Sequence, residues 1–454
     1  SVLWNVECYD NASNSAFGTN NKTVIVDYVV WGMDLVLPVN GSNHMAPSVD
    51  INFTFLVTDN YPTDVVTCNL SINDVVNTSG ITANVGSNTS QTITFTQSGM
   101  YNWSITCLNE DEDELNISKT RWFNITIIGP DCGPLDYEGA KYTLTMDVSS
   151  SSTCFDILAN DITLNCDGHS ITGTQNGYGI NVSGKTGFVL DDCTIINFTR
   201  AVNIINTNYS SFNELNITDN NGDYAGIYSY QSNYNNITNS QFTYNNASDN
   251  AGIFLETSSQ TRVINTTYLF NNVTKSGQIV ASGIVGLHDQ SNLNYFENII
   301  AESNIVNQTN TEVGMNSIGG GGICGINLNS NSNIINSSSF IGNIVYSGYT
   351  IIGGGIIGLY SSSNNLLNSI NISDSKVIND EITGSIYGGA IIGDYQSSYN
   401  NYQNIRIWNT QVDLSYAYGG NMFGEYLSTN NTLVSLTIFN TSSDLIAIYG
   451  GVGL

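Results

Sequence analysis

Residues 160–200, NDITLNCDGHSITGTQNGYGINVSGKTGFVLDDCTIINFTR, hold one pattern written twice. Each copy alternates apolar and polar residues, passes through a cysteine, and alternates again. Cys166 and Cys193, 27 residues apart, occupy matching places. A period of two is that of a strand, and a unit of about 20–30 residues that restacks on itself marks a solenoid. Such a unit buries its apolar face against the next copy, so the repeat has to continue. It does so to the end of the chain, whereas the residues before it read differently.

Five Pro and an almost complete lack of 3.6-residue periodicity point to an all-β chain. Charged residues are 11%, against about 25% in ordinary globular chains. Asn, Ser and Thr supply the polarity instead, and these suit turns. Ten Lys+Arg face 38 Asp+Glu, a net charge of −28. That balance argues against nucleic acid and anionic membranes as partners. There is no apolar run long enough for a membrane span and no visible signal peptide. Eight Cys without a CxxC pair indicate disulfides and an oxidising compartment.

From Met33 to residue 130, short alternating strands recur at about ten-residue spacing, the signature of a β-sandwich. Cys68 and Cys107 each fall inside a strand, which predicts an inter-sheet disulfide. Trp103 stands four residues before Cys107. The Tyr two before the second Cys of antibody-type domains is absent, so the expectation is an immunoglobulin-like sandwich in the general sense. Trp4 and Cys8 repeat Trp103 and Cys107 at an offset of 99. Residues 1–32 therefore read as the last strands of an incomplete domain of the same kind, with Cys8 unpaired or intermolecular. Glu110, Asp111, Glu112, Asp113 and Glu114 form an acidic run. It is a weak calcium candidate, since hard oxygen ligands cluster in this way. It lacks the glycine spacing of an EF-hand, and a solvated loop is the preferred reading.

The boundary IGPDCGP opens the solenoid at 131. Cys132 and Cys154 flank a segment expected to cap its first coil. The repeat alignment pairs Cys132 with Cys154 and Cys166 with Cys193. Cys324 is left unpaired or intermolecular. The run DITLNCDGHSITG…GYGINVSG…GFVLDDCTIINFTRAVNI resembles the NosD-like right-handed parallel β-helix family of archaeal and bacterial surface proteins. Gly179-Ile180, Gly226-Ile227 and Gly252-Ile253 hold its Gly-Ile position and Ala201-Val202 replaces it once, at spacings of 22, 25 and 26 residues. From 283 to 454 the unit lengthens to 31–39 residues around SGIVGL, GGICGI, GGIIGL, GGAIIG, GGNMFG and YGGVGL. These are similar to GLUG repeats of adhesin-like proteins. The longer unit implies a broader cross-section or an outward loop. The expected organisation is 1–32 incomplete domain, 33–130 sandwich, 131–282 β-helix with N-terminal cap, and 283–454 β-helix with long Gly-rich coils. Recurrent Asn, among them Asn213, Asn216, Asn236, Asn333, Asn336, Asn364 and Asn368, read either as side-chain ladders or as ordinary turn residues. The sandwich before the solenoid resembles archaeal surface immunoglobulin-like modules carrying an N-W-[ST]-[IV]-x-C strand, and this pairing of modules implies a large secreted cell-surface protein, with an archaeal lean.

Asn-x-Ser/Thr acceptors are in excess over chance in the front part, at Asn11, Asn21, Asn40, Asn52, Asn69, Asn77, Asn88, Asn102, Asn116 and Asn124. Those further on are close to the chance number: Asn181, Asn197, Asn208, Asn216, Asn236, Asn246, Asn265, Asn272, Asn307, Asn336, Asn371, Asn430 and Asn440. Covalent N-glycans are expected mainly in the front. No catalytic residue is assigned. Arg200, Lys275 and the other solenoid bases are widely spaced, Asp191 and Asp192 point to opposite faces of a strand, and His44, His169 and His288 lie far apart. No cofactor is expected, apart from calcium. The functional expectation is a glycosylated structural protein of an extracellular filament or surface layer, self-associating through unfinished ends. The alternatives are a carbohydrate- or cell-binding adhesin, or a β-helix polysaccharide lyase or epimerase.

Overall fold

The computed structural model describes the chain except residues 1, 6, 12–13, 18–21, 25–31, 47–48, 59–64, 96, 98, 110–113, 128–130, 280, 310–316, 349, 380–384, 421 and 450–454. All described secondary structure is β, in two compact units, Ser1–Thr126 and Ile127–Leu454. No described helix is long and apolar enough to cross a membrane.

The front unit holds two antiparallel sheets. One contains Val49–Thr58 between Gly32–Leu37 and Asn88–Phe95, and the other is centred on Gly99–Asn109. Alternation in Val49–Thr58 turns Ile51, Phe53, Phe55 and Val57 into the core. Phe53 there meets Trp103 at 5.1 Å and Phe123 at 5.6 Å, both edge-on. The disulfide Cys68–Cys107 forms. It joins neighbouring strands of one sheet, where Cys68 and Cys107 are directly registered, so the expected inter-sheet bridge is corrected. Cysteine spacing locates strands but does not assign them to sheets. Ahead of these sheets lie two strand pairs, Val2–Trp4 with Lys22–Val24 and Glu7–Tyr9 with Ser15–Phe17. Cys8 is free and exposed. Of the acidic run, Glu110, Asp111, Glu112 and Asp113 lie outside the described residues; the Glu114 backbone pairs with Asn109.

The second unit is a parallel β-helix. Its first wall is an eleven-stranded parallel sheet with one strand per coil, from Gly133–Leu135 through Arg200–Ile205, Ile227–Tyr230, Ile253–Glu256 and Val285–His288 to Phe423–Tyr426. The second wall carries two short strands or one long one per coil, beginning at Lys141–Thr143. The third begins at Asn221–Tyr224. Inward positions stack in columns: Ile171 on Ile195 on Ile217, and Val202 on Ile227 on Ile253, all essentially inaccessible. Corners turn through left-handed residues, such as Asp192, Asp219, Asn239, Asn265 and Asn298 at φ of 51–54°. Asn and Asp tolerate this region better than other residues with a Cβ, and twelve described Asn adopt it.

Two of the corner rows are hydrogen-bonded ladders. At the corner before the third wall the backbone N–H groups of Asn220, Asn245, Asn271 and Asn304 each donate to the Oδ1 of the next Asn, ending on Asn343, at 3.0–3.1 Å. All five amides are buried. A second buried row links Asn294, Asn333, Asn365 and Asn400. Of the positions expected to ladder, Asn333 belongs to this row, and Asn336 accepts from Asn368 on the outside.

The stapling disulfides Cys132–Cys154 and Cys166–Cys193 both form between successive coils. The segment expected to cap the solenoid is itself its first coil, because Lys141–Thr143 and Val148–Ser149 already pair in parallel with the next one. The lengthened coils add a wall. Ser317–Gly321, Thr350–Gly354, Ser385–Gly389 and the end of Gln411–Gly420 stack in parallel as a fourth face leading into the first. This broader cross-section explains the glycines. A Cβ on Gly358 would lie 2.0 Å from Gly320 O, and one on Gly393 1.9 Å from Gly353 O, so only bare backbone lets the two walls meet.

Candidate functional site

On the outer face of the first wall, register builds a cluster that crosses five coils. Tyr178 pairs with Arg200, Asn203 with Tyr228, Tyr228 with Phe254, and Glu256 with His288. The Arg200 guanidinium lies 5.3 Å from the rings of Tyr178 and Tyr224 and 4.5 Å from that of Tyr228, a threefold cation–π contact. The Tyr228 hydroxyl donates to Glu256 Oε2 at 2.6 Å. Phe254 is buried beneath Tyr224, Tyr228 and His288, with ring centroids 4.9–6.2 Å apart. From the third wall Ser248 donates to Asp223 at 2.7 Å and Lys275 pairs with Asp249. Asp223, Ser248 and Thr274 also line a shallow groove of about 260 Å³.

Arg200 is aimed by a relay. Its Nη1 donates to Asn203 Oδ1, Asn203 Nδ2 donates to Asn181 Oδ1 at 2.8 Å, and Asn181 Nδ2 donates to Asp156 Oδ1 at 2.8 Å. Burial draws the Arg200 pKa below its ordinary value, against the pull of the tyrosines and Asp223. Tyr224 is pushed up to about 12 by burial and then by Asp249 and Glu256. Tyr228 is raised further, by burial and by its bond to Glu256. Burial lowers His288, outweighing Glu256 and Asp289, so its imidazole is neutral at pH 7. Its Nδ1 is buried without a hydrogen-bond partner among the described residues. The face thus offers aromatic rings, one fixed cation, carboxylates, a neutral base and tyrosine acids. Among the described residues no group of three or more His, Cys, Asp or Glu could hold a metal ion.

Sequence reasoning set these residues aside because Arg200, Lys275 and His288 are far apart along the chain. Stacking removes that distance. Aligning the coils on their Gly-Ile position would have placed Asn181, Asn203, Tyr228 and Phe254 in one column, each directly after it. Asp191 takes part in a different row, accepting from Asn213 at 2.8 Å. His169 lies 3.4 Å from Asp147 on another wall. Cys324 is buried and free, its thiol pushed up to about 12 by burial. Of the glycosylation acceptors, Asn21 lies outside the described residues. Asn102 is 8% exposed. A glycan needs an accessible amide, so Asn102 is withdrawn as an acceptor.

No protein-family model and no curated protein matches the chain. Solved structures do, as β-helices. A Family 28 exopolygalacturonase of Yersinia enterocolitica is 9% identical at a TM-score of 0.30, over 92% of this chain and 98% of that one. An alginate lyase of a Paenibacillus species is 12% identical at 0.29, over 68% and 100%. An Escherichia coli bacteriophage tailspike in complex with a pentasaccharide is 12% identical at 0.23, over 69% and 60%. At these values the likeness concerns the fold alone. The expected filament or surface-layer subunit is nevertheless corrected. The face that sequence spacing seemed to leave empty carries a built cluster of an arginine, aromatic rings and a carboxylate.

Proposed function

We propose that the chain is an extracellular, polysaccharide-active β-helix protein that binds its saccharide across the face from Arg200 to His288. The observation that carries this reading is the Arg200 guanidinium held among three tyrosine rings beside the Tyr228–Glu256 pair. Sugar C–H faces stack on such rings, while Arg and carboxylates take the hydroxyl and carboxyl groups. The net charge of −28 repels a polyanion at long range. The favoured ligand is therefore a sparsely charged polysaccharide presenting a single carboxylate to Arg200. A second reading adds turnover. The neutral His288, whose buried Nδ1 has no partner among the described residues, suits a general base once substrate reaches it, and Tyr228 keeps its proton to high pH. Removal and return of a proton at a sugar ring carbon is the reaction class these two groups fit.

The remaining readings supplement this one. Three disulfides accord with folding in an oxidising, extracellular setting. The front unit serves as an immunoglobulin-like connector, glycosylated at its exposed acceptors, and the solenoid keeps the NosD- and GLUG-like assignment. The test is affinity electrophoresis against neutral and uronate-containing polysaccharides, followed by assays for new reducing ends, unsaturated uronate and epimerised residues. Binding of a uronate-containing polymer is expected in the wild type and lost in Arg200→Ala. Turnover, where seen, should be lost in His288→Ala with binding kept. No binding to any polysaccharide would reject the proposal.

A further inference from the structure

Beyond His288 the outer column continues onto a different surface. Tyr360 pairs with Asn327, Tyr395 with Tyr360, and Tyr426 with Tyr395. On the facing fourth wall Tyr418 pairs with Tyr387. Within the walls Tyr395 stacks nearly parallel on Tyr426 at 5.7 Å and 10°, and Tyr387 on Tyr418 at 4.8 Å and 10°, while Tyr360 is tilted by 54° against Tyr395 at 5.4 Å. Between walls they meet edge-on, Tyr387 to Tyr395 at 5.9 Å and 72°. Beneath the rings the two walls meet through backbone at glycines: a Cβ on Gly389 would lie 1.9 Å from Ile392 O and 2.4 Å from Gly424 N. The result is a shallow notch along the solenoid axis with a backbone floor, lined by Tyr360, Tyr395 and Tyr426 on one side and by Ile352, Tyr387 and Tyr418 on the other, whose rings meet edge-on in the last two coils.

Two observations point to an occupant. The Oδ1 of Asn327 is buried, on a residue 2% exposed, without a partner among the described residues. It lies in the column of the tyrosines, and a Cβ on Gly319 across the notch would stand 3.2 Å from its Nδ2. An orphaned buried acceptor is costly unless something donates to it. Second, the fourth-wall segments read SIGGG, TIIGG, SIYGG and YAYGG, and none carries a charge. On the first wall opposite, Asp394 is buried inside the coil and hydrogen-bonded by Tyr402. Tyrosine rings with hydroxyls suit a ligand that is apolar on its faces and polar at its edges.

We infer that this notch is a second saccharide site, separate from the Arg200 face, which takes a linear neutral glycan laid along the axis. Rings recur at the coil spacing, about 4.8 Å. From Asn327 to Tyr426 the notch therefore offers about 14 Å, which requires an oligomer rather than a single sugar. The Asn327 acceptor takes a sugar hydroxyl at one end. The inference shares the carbohydrate class of the proposed function but uses none of the same residues.

The probes are soluble β-1,3-glucan, β-1,4-xylan and α-1,6-dextran, with polygalacturonate as the charged comparison, run by affinity electrophoresis on the full chain. At least one neutral polymer should retard the wild type, with its tri- or tetrasaccharide competing and glucose not. The double variant Tyr387→Ala/Tyr395→Ala should weaken retardation at least tenfold. Tyr395→Trp should preserve it, which separates loss of stacking from loss of folding. Arg200→Ala should leave it unchanged, so failure of the Arg200 face and failure of the notch are told apart. Absence of retardation by every neutral polymer would overturn the inference. So would retardation indifferent to Tyr387→Ala/Tyr395→Ala.

Discussion

Arg200 can only donate hydrogen bonds and the Asp156 carboxylate can only accept them, so the two amides between them have a single consistent orientation. That polarity fixes a cation over three aromatic rings, and among the described residues no carboxylate forms an ion pair with it. Replacing the middle of the relay should loosen the guanidinium. Asn203→Leu is expected to lower polysaccharide affinity about tenfold, roughly 1.4 kcal/mol for one charge-assisted bond, measured by titration calorimetry with the polymer the wild type binds. Affinity unchanged in Asn203→Leu would remove the relay from the account. The cysteines make a separate residue-scale prediction. Cys8 is exposed and Cys324 buried, with a thiol raised to about 12. The thiolate is the reactive form, so iodoacetamide should label Cys8 in the native protein and Cys324 only after unfolding. The other six should react only after reduction, read by peptide mass spectrometry.

Each coil depends on its corners. Asn304 accepts from the Asn271 backbone at 3.0 Å and donates to Tyr268 O at 2.9 Å and Asn343 Oδ1 at 3.0 Å. Asn304→Ala orphans several buried groups at about 1–3 kcal/mol each and should visibly lower the melting temperature, whereas the exposed Asn236→Ala should not. The late coils also carry a pH dependence. Asp394 is buried among Tyr402, Asn400, Ser397 and Ser428, and burial outweighs those hydrogen bonds to raise its pKa above 3.8. Glu425, registered beside it in the next coil, is raised above 4.5 by burial and by Asp394. An acid raised by folding contributes stability below its unfolded pKa and loses it as pH rises through its folded pKa. Relative to Asp394→Asn, the wild type should lose stability between acid and neutral pH in thermal melts; a parallel pair of curves would contradict this. The coils and their staples were legible because a period of two and matched cysteines survive in a single sequence. The fourth wall was not, since strands such as Thr350–Gly354 are short and half glycine, without alternation. The Arg200 face escaped for another reason. It depends on register summed over several coils, and that register slips at 283, where Ile253 meets Val285 rather than Ile284.

At the scale of the molecule, a strongly acidic chain presents an arginine framed by three tyrosine rings and, further along, a tyrosine notch. The notch selects for stacking over charge, so neutral-glycan binding should change little between 50 and 500 mM salt, whereas binding of a carboxylate at Arg200 should weaken. Glycosylation follows the same division of surfaces. In native material the exposed front acceptors, such as Asn52 and Asn77, should be occupied and the buried Asn102 empty. Asn246 and Asn272 should stay bare too, because their amides bond the neighbouring coils, Asn272 Nδ2 to Asn246 Oδ1 at 2.8 Å. Glycopeptide mass spectrometry reads this directly. The central claim is that the outer face of the first wall recognises a polysaccharide, and calorimetric titration of the wild type and Arg200→Ala against a sparsely uronated polysaccharide tests it most directly. The account predicts saturable binding by the wild type that falls at least tenfold in Arg200→Ala with the melting temperature preserved. Equal binding by both proteins, or none by either, would contradict it.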